Sequence, residues 1–414
     1  MRLNWSGTVD LGGEEAAPTS SAAIARVVRS SRAGDCFLAL GTAHSFSPVA
    51  VTNGLHIDTS ALPSDLEIDA TTCTIGSGTT YAALGRQLHE RGLALAAMAS
   101  LPHISVGGAI STGTHGSGDR IGTLSSAVRA LEVVTPDGSI RQVTRGIDDD
   151  FSGWVVALGA LGVVTRVTLD VEPAYDIAQT VRTGLDLDAV EERFDDVFSA
   201  ATSVSVFTRW RAYPDGQWWL KQRTDRPAPR PELGTVASAT KLHPLETLDP
   251  VHCTEQLGAP GPWHERLPHF RADFTPSSGE EIQAEYLLPR EHAVEGIRRM
   301  RALATGITPL LHVTEIRTMC ADDLWLSPAF GRDTVGIHFT WHKDPTIYRV
   351  LPAIEEALLP LGARPHWGKV TAASAESIVA AYPAFADFAR LVADVDPRGR
   401  FTSPFLGSLL RASS

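Results

Sequence analysis

The sequence predicts an α+β protein of two domains. Three observations carry that expectation. The chain has 414 residues, two to three times the ~150 of an average domain. Its composition, 43% hydrophobic and 20% charged, is that of a folded globular chain and excludes wholesale disorder. Helical and strand patterns alternate as far as Val171, and around Pro173 the character changes to strands set among Pro-rich stretches.

Taken in order, Ser20 to Ser31 reads as a helix, with a Ser cap and an apolar stripe of Ile24, Val27 and Val28. Phe37 to Leu40 is a short apolar strand, and Gly41 to Phe46 is the loop that leaves it. Cys73 to Gly78 reads as a strand and turn. Tyr81 to Arg91 is helical, with Ala82, Leu84 and Leu88 on one side and Gly92 as its stop. Gly107 to Gly118 is a run of small residues. Leu131–Val134 and Ile140–Val143, joined through Pro136-Asp137-Gly138, form a hairpin. A helix is expected over Phe151–Leu161 and a strand over Val163–Val171. In the second region, Phe207–Trp210 and Trp218–Leu220-Lys221 flank a Pro214-Asp215-Gly216 turn. Residues 226–234 and 256–276 are Pro-rich and expected to be irregular. Ile282–Leu288, Val313–Thr318 and Val335–Trp341 read as strands, and 291–304 and 347–361 as helices.

Several function classes fall away. Lys and Arg number 36 against 48 Asp and Glu, a net charge of −12, so the chain is not expected to track nucleic acid. No run of ~18 apolar residues occurs, and the first residues lack the apolar stretch of a secretory signal. Cys36, Cys73, Cys253 and Cys320 share no close spacing, which predicts reduced thiols, a cytoplasmic protein and no metal site. Without secretion, the glycosylation-like string Asn4-Trp5-Ser6 carries no meaning. Gly116–Gly122 is one residue too long for a dinucleotide fingerprint. Gly362–Lys369 lacks the Ser/Thr of a P-loop. His264-Glu265 to His269 is off by one from a zinc-protease helix and contains Pro268.

Four features could carry chemistry. The run Gly107–Gly118 could turn successive N–H groups toward an anion, or be a tight packing loop. The Gly41–Phe46 loop offers Thr42, His44 and Ser45 at a strand end; taken alone, His44 reads as a surface histidine. Strand alternation puts Glu315 and Arg317 on one face and His338 and Thr340 on another. Such faces floor a wet pocket or meet solvent. Lys369, among His366, Trp367 and Gly368, is a site cation or a solvated lysine.

Together, these strings resemble the vanillyl-alcohol-oxidase type of FAD flavoprotein over essentially the whole chain. The strings are Gly41–Phe46, Met98–Gly108, Ser111–Gly118, Leu158–Val164, Glu315–Thr318, His366–Lys369 and Asp396-Pro397-x-Gly399-x-Phe401. Pro262–Pro268 is similar to the branch of that family acting on alditols and sugar lactones. The resemblance implies an FAD-binding domain of two α/β subdomains at residues 1–172. It implies a cap domain with an antiparallel sheet at 173–364, and a segment 365–414 returning to the first domain. It implies FAD joined covalently through His44. Gly41, Thr42, Ala43, Ser45 and Phe46 belong to one FAD loop, and Ser105, Gly108, Thr112, Gly113, Thr114 and His115 to a second. Gly162 and Val163 lie near the adenosine, and Ser100 and His366 also touch the cofactor. Ser100, Glu315, Arg317, His338, Thr340 and Lys369 make the polyol pocket, with Arg317, Lys369, His338 and Glu315 catalytic. The implied reaction takes hydride from C1 of an alditol such as xylitol or sorbitol and passes the electrons to O2, giving hydrogen peroxide. An aldonolactone oxidase or dehydrogenase is the alternative. The chain is expected to act as a monomer away from membranes.

Overall fold

Local signals decide the first elements. In the computed structural model, which describes residues 2–32, 34–211, 216–227, 231–273 and 279–413, the first helix is Ser21–Ser30. Ser20 accepts the Ala23 N–H as its cap, and Ile24, Ala25 and Val28 are buried. Helix Tyr81–His89 is capped in the same way by Thr80, and Gly92 beyond it takes φ +72°. Strand Phe37–Leu40 forms one edge of a parallel three-stranded sheet, with Leu55–Asp58 at its centre and Glu14–Ala16 at the other edge.

The hairpin Val128–Val134 and Ile140–Thr144 joins strand Val163–Asp170 in a five-stranded antiparallel sheet completed by Thr72–Gly76 and Glu67–Asp69. The expected helix Phe151–Leu161 stops at Trp154. Leu158 and Gly159 take φ +54° and +80°, a left-handed backbone no helix continues through. Within the small-residue run, Val106–Ser111 is a short helix, which the glycines at 107 and 108 concealed.

The second region is built on one large antiparallel sheet. Its central order is Asp176–Leu185, Gly216–Arg223, Ser203–Thr208, Leu311–Met319, Thr334–His342 and Glu281–Pro289. The residues Pro214 and Asp215 of the expected turn lie outside the described residues. One face of this sheet is apolar: Val206, Ile316, Ile337, Phe339, Ala284 and Tyr286 pack on Ile297, Met300, Leu351 and Ile354 of helices Ala293–Ala302 and Ile347–Leu358. The second of these helices ends short of the expected 361, in a 3-10 turn closed by Gly362 at φ +78°. A separate core unites Ile75, Leu84, Val106, Leu131 and Trp154 with Tyr382, Phe385, Phe388 and Leu409 from helices near the C-terminus. The chain therefore returns to its first half after completing the large sheet.

Candidate active site

A cavity of about 270 Å³ separates the polar face of the large sheet from the first half of the chain. Loop Gly41–Phe46 forms one wall, continuing strand Phe37–Leu40. Ser105, Gly107, Gly108, Thr112, Thr114 and His115 form the adjoining wall, the Ser105 N–H donating to Thr42 Oγ1 at 3.2 Å, and Leu158, Leu161, Gly162 and Val164 also line the cavity. Ser100, Glu315, Arg317, His338, Thr340, His366 and Lys369 line the same cavity. Two residues expected at the site do not line it. Gly113 takes φ +65°, and a Cβ there would lie 2.7 Å from Pro328, so its task is close packing. Val163 is fully buried with Val134 and Phe37, because strand alternation sends its neighbour Val164 to the cavity instead. Nor is 107–118 a row of free amides. The N–H groups of Val106, Gly107, Thr114 and Gly118 donate to Thr79, Ser77, Ala109 and Thr318 carbonyls.

Register assembles the polar floor. Phe207, Glu315, His338 and Glu285 stand side by side across four strands. Val313, Thr340 and Gln283 form the next row. Glu281, Gln283 and Glu285 share the face of Glu315 and Arg317 by the same alternation, yet the sequence reading passed them over. The signal was present: E-I-Q-A-E-Y alternates polar and apolar from 281 to 286. Gly336 stands opposite Arg317. A Cβ there would come 3.2 Å from Glu285 Oε1 and 3.6 Å from His115. Its bare backbone leaves room for the Glu285 carboxylate, as interior strand glycines often do for a close approach.

The floor is a network of charge-assisted hydrogen bonds. Arg317 Nη2 donates to Glu285 Oε1 at 2.8 Å, and Arg317 Nε lies 3.6 Å from Glu315 Oε2. Burial is the largest single influence and pushes the Glu285 and Glu315 carboxyls up, but the Arg317 guanidinium beside both, together with His115 and His338 at Glu285 and His269 and His338 at Glu315, outweighs it. Both are held below the usual carboxylate range and stay ionised. Gln283 Oε1 accepts from Lys369 Nζ and from His338 Nε2 at 3.2 Å, while its Nε2 donates to Glu281. With Nε2 donating, the basic nitrogen of neutral His338 is Nδ1. Burial, reinforced by Lys369 and Arg317, lowers His338 to about 3, so the ring is neutral at ordinary pH.

A further layer aims these groups. His269 Nε2 lies 2.8 Å from Glu315 Oε1. Its ring meets Phe207 and Trp219 edge-on, and burial lowers it to about 4. Being neutral, it donates to the Glu315 carboxylate. Lys221 is 1% exposed and donates to the carbonyls of Leu267 and, at 2.9 Å, Pro268, fixing the segment that carries His269. His115, Glu285 and His366 bring possible metal-ligating atoms within 4.8 Å of one another. His366 Nδ1, however, accepts the Gly368 N–H, so its neutral ring carries hydrogen on Nε2. The Arg317 charge on Glu285 opposes a second cation there.

The first half of the cavity fits a dinucleotide. Its described walls combine hydroxyls at Thr42, Ser45, Ser105, Thr112 and Thr114 with apolar Leu38, Val133 and Leu161. Ser105 Oγ is buried without a partner. The carboxylates among the lining residues, Glu281, Glu285 and Glu315, all belong to the sheet, leaving the other walls free of negative charge.

Comparisons with known proteins agree. Residues 15–144 match the FAD binding domain family, and residues 279–409 match the family described as D-arabinono-1,4-lactone oxidase. The fold is similar to cholesterol oxidase from B. sterolicum, with a TM-score of 0.80 at 15% identity, covering 99% of this chain and 96% of that one. Fold and site define an FAD-dependent oxidoreductase with the vanillyl-alcohol-oxidase fold. The chain is 46% identical to an alditol oxidase from a Streptomyces species over 98% of both chains. It is 27% identical to L-gulono-1,4-lactone dehydrogenase of Mycobacterium tuberculosis over 95% of both. The chain belongs to the alditol oxidase family.

Proposed function

We propose that this enzyme oxidises the terminal C1 carbinol of an alditol such as xylitol or sorbitol to the aldose, with FAD held covalently through His44 and O2 as the final acceptor. One observation carries the reading most. A sheet face bearing Glu315, Arg317, His338, Thr340, Gln283 and Lys369 opens onto the cavity that the Gly41–Phe46 loop lines. When bound, FAD supplies the hydride acceptor at N5 and returns the electrons to O2 as hydrogen peroxide.

The chain's own groups do the rest. Arg317 and Lys369 place positive charge where the substrate oxygen gains negative charge. His338, neutral with Nδ1 unprotonated, accepts the hydroxyl proton. Glu315 and Glu285 balance the Arg317 charge and fix its plane. Ser100, whose Oγ lies 3.5 Å from Arg317 Nη1, and Thr340 bind further hydroxyls. A site built of hydrogen bonds discriminates against alcohols lacking those hydroxyls. Gly41–Phe46, Ser105, Gly108, Thr112, Thr114, His115, Gly162 and His366 surround the cofactor. His44 is lowered to about 4 by burial and the charges of His103 and Lys369, against a contact to the Thr42 backbone. A neutral imidazole is the form able to bond to the flavin.

The lactone-oxidase match over 279–409 favours one second reading, a sugar-lactone substrate. Ala99 lines the cavity beside Ser100, and the M. tuberculosis relative is named a dehydrogenase. Oxygen uptake with xylitol, sorbitol and galactonolactone separates the cases. Fast uptake with the polyols supports the proposal; uptake with the lactone alone, or turnover only with an artificial acceptor, rejects it.

A further inference from the structure

The string Asn4-Trp5-Ser6 has the form of a glycosylation acceptor, yet Asn4 is 4% exposed and its amide is fully engaged. Asn4 Oδ1 accepts the N–H groups of Thr8 at 2.8 Å and Val9 at 3.0 Å. Asn4 Nδ2 donates to the Ser45 carbonyl at 2.9 Å. The Trp5 N–H donates to the Ala43 carbonyl, also at 2.9 Å. Residues 4–9 therefore form a closed hook whose two outward bonds grip the backbone on either side of His44. The Trp5 indole meets the His44 ring edge-on, with centroids 5.6 Å apart, and leans on Phe46. Trp5 itself lines the cavity.

The loop so gripped cannot hold this shape by propensity. Ala43 takes φ +55°, a left-handed conformation that is strained for a non-glycine residue and persists only where its surroundings impose it. The other side of the loop is clamped too: the Phe46 N–H donates to Gly368 O at 2.7 Å, and Ser47 Oγ to Trp367 O at 2.5 Å. That clamp acts beyond His44. The hook is the contact that spans it.

We propose that the N-terminal hook positions His44 for covalent attachment of the flavin, with Asn4 and Trp5 as positioning residues. This rests on the covalent reading above. In the step served, a His44 ring nitrogen bonds to the flavin 8α-methyl carbon. One methyl hydrogen and the imidazole N–H hydrogen are lost, and O2 takes up the two electrons and two protons as hydrogen peroxide. The hook acts on geometry alone: it sets the loop backbone and braces the ring edge-on so that the nitrogen meets the methyl carbon. Near-attack placement of this kind governs rate steeply, about 100-fold for a 1 Å error.

The test uses the full-length chain from flavin-limited cells, incubated with FAD. Flavin fluorescence of the denatured polypeptide follows covalent incorporation. Asn4→Asp keeps both acceptor bonds of the hook but sets a carboxylate against Ser45 O. Trp5→Ala removes the ring contact, and Trp5→Phe restores part of it. We expect Asn4→Asp and Trp5→Ala to slow incorporation by roughly tenfold or more, with Trp5→Phe intermediate. Rates are compared at saturating FAD, with reversible FAD binding read by fluorescence quenching and Tm read on the same preparations. Wild-type incorporation with unchanged rates in all three variants overturns the hook alone. Slowing that only tracks weakened FAD binding or a fallen Tm also overturns it, as a general packing effect. A wild-type chain that never takes up flavin covalently overturns the hook and the His44 reading together.

Discussion

Gln283 is uncharged, yet it sets the hydrogen-bonding state of two groups at once. Its Oε1 receives both Lys369 and His338, and Glu281 fixes which way the amide points. Gln283→Leu leaves those donors facing hydrocarbon, at about 1–3 kcal/mol. We expect kcat/KM for the preferred polyol to fall roughly 5- to 150-fold, at about 1.4 kcal/mol per factor of ten. An unchanged kcat/KM would remove Gln283 from the site. His338→Ala should lower kcat by about 100- to 10,000-fold, the range for a lost proton acceptor. Since His338 is lowered to about 3, it contributes no acid limb to the pH–rate profile at neutral or mildly acidic pH. Turnover that survives in the alanine variant ends the proton-acceptor assignment. His44 shows how far the sequence went at this scale: its residue type alone suggested a surface histidine. Only the loop around it, matched to a family pattern, suggested the role proposed above.

Among the elements, the strand Glu281–Pro289 and the helix Val106–Ser111 mark where reading the sequence succeeded and failed. The strand was legible from its β pattern, but its polar face went unread because three polar residues in alternation look the same toward solvent as toward a cavity. The helix was hidden because Gly107 and Gly108 are poor helix formers. Gly107 is there for packing: a Cβ on it would lie 2.8 Å from the Ser77 Cβ and 3.1 Å from its carbonyl. Gly107→Ala should therefore push the helix off the strand that ends at Gly76 and into the cavity. Overpacking of this kind costs about 1–3 kcal/mol. Urea unfolding should show that loss together with less complete FAD incorporation, and an unshifted midpoint would contradict the packing role.

Across the whole molecule, the buried histidines tie stability to pH. Burial lowers His44, His243 and His269 to about 4 and His338 to about 3. Below pH ~6.5 the unfolded chain takes up protons that the folded chain refuses. Each such histidine therefore removes about 1.4 kcal/mol per pH unit between ~6.5 and its folded value. Below pH ~4.5 the depressed carboxyls Glu285 and Glu315 add to the loss. We expect Tm to fall steadily as pH drops from 7 to 5; a flat or rising Tm over that interval would refute the linkage. Among the described residues no helix is long and apolar enough to cross a membrane.

The sequence by itself determined the local elements with strong caps and periods. Ser20, Thr80 and the alternation of 313–318 act within a few residues, where propensity and hydrogen bonding are decided. It also determined the family, through strings spread along the whole chain. The tertiary structure decided what those strings do together. Strand register placed Glu285 and His338 side by side, Gly336 made room for the Arg317 pair, and the hook of Asn4 reached across the chain to Ser45. Each depends on contacts between residues distant in sequence, and no local pattern encodes which distant residue will stand opposite.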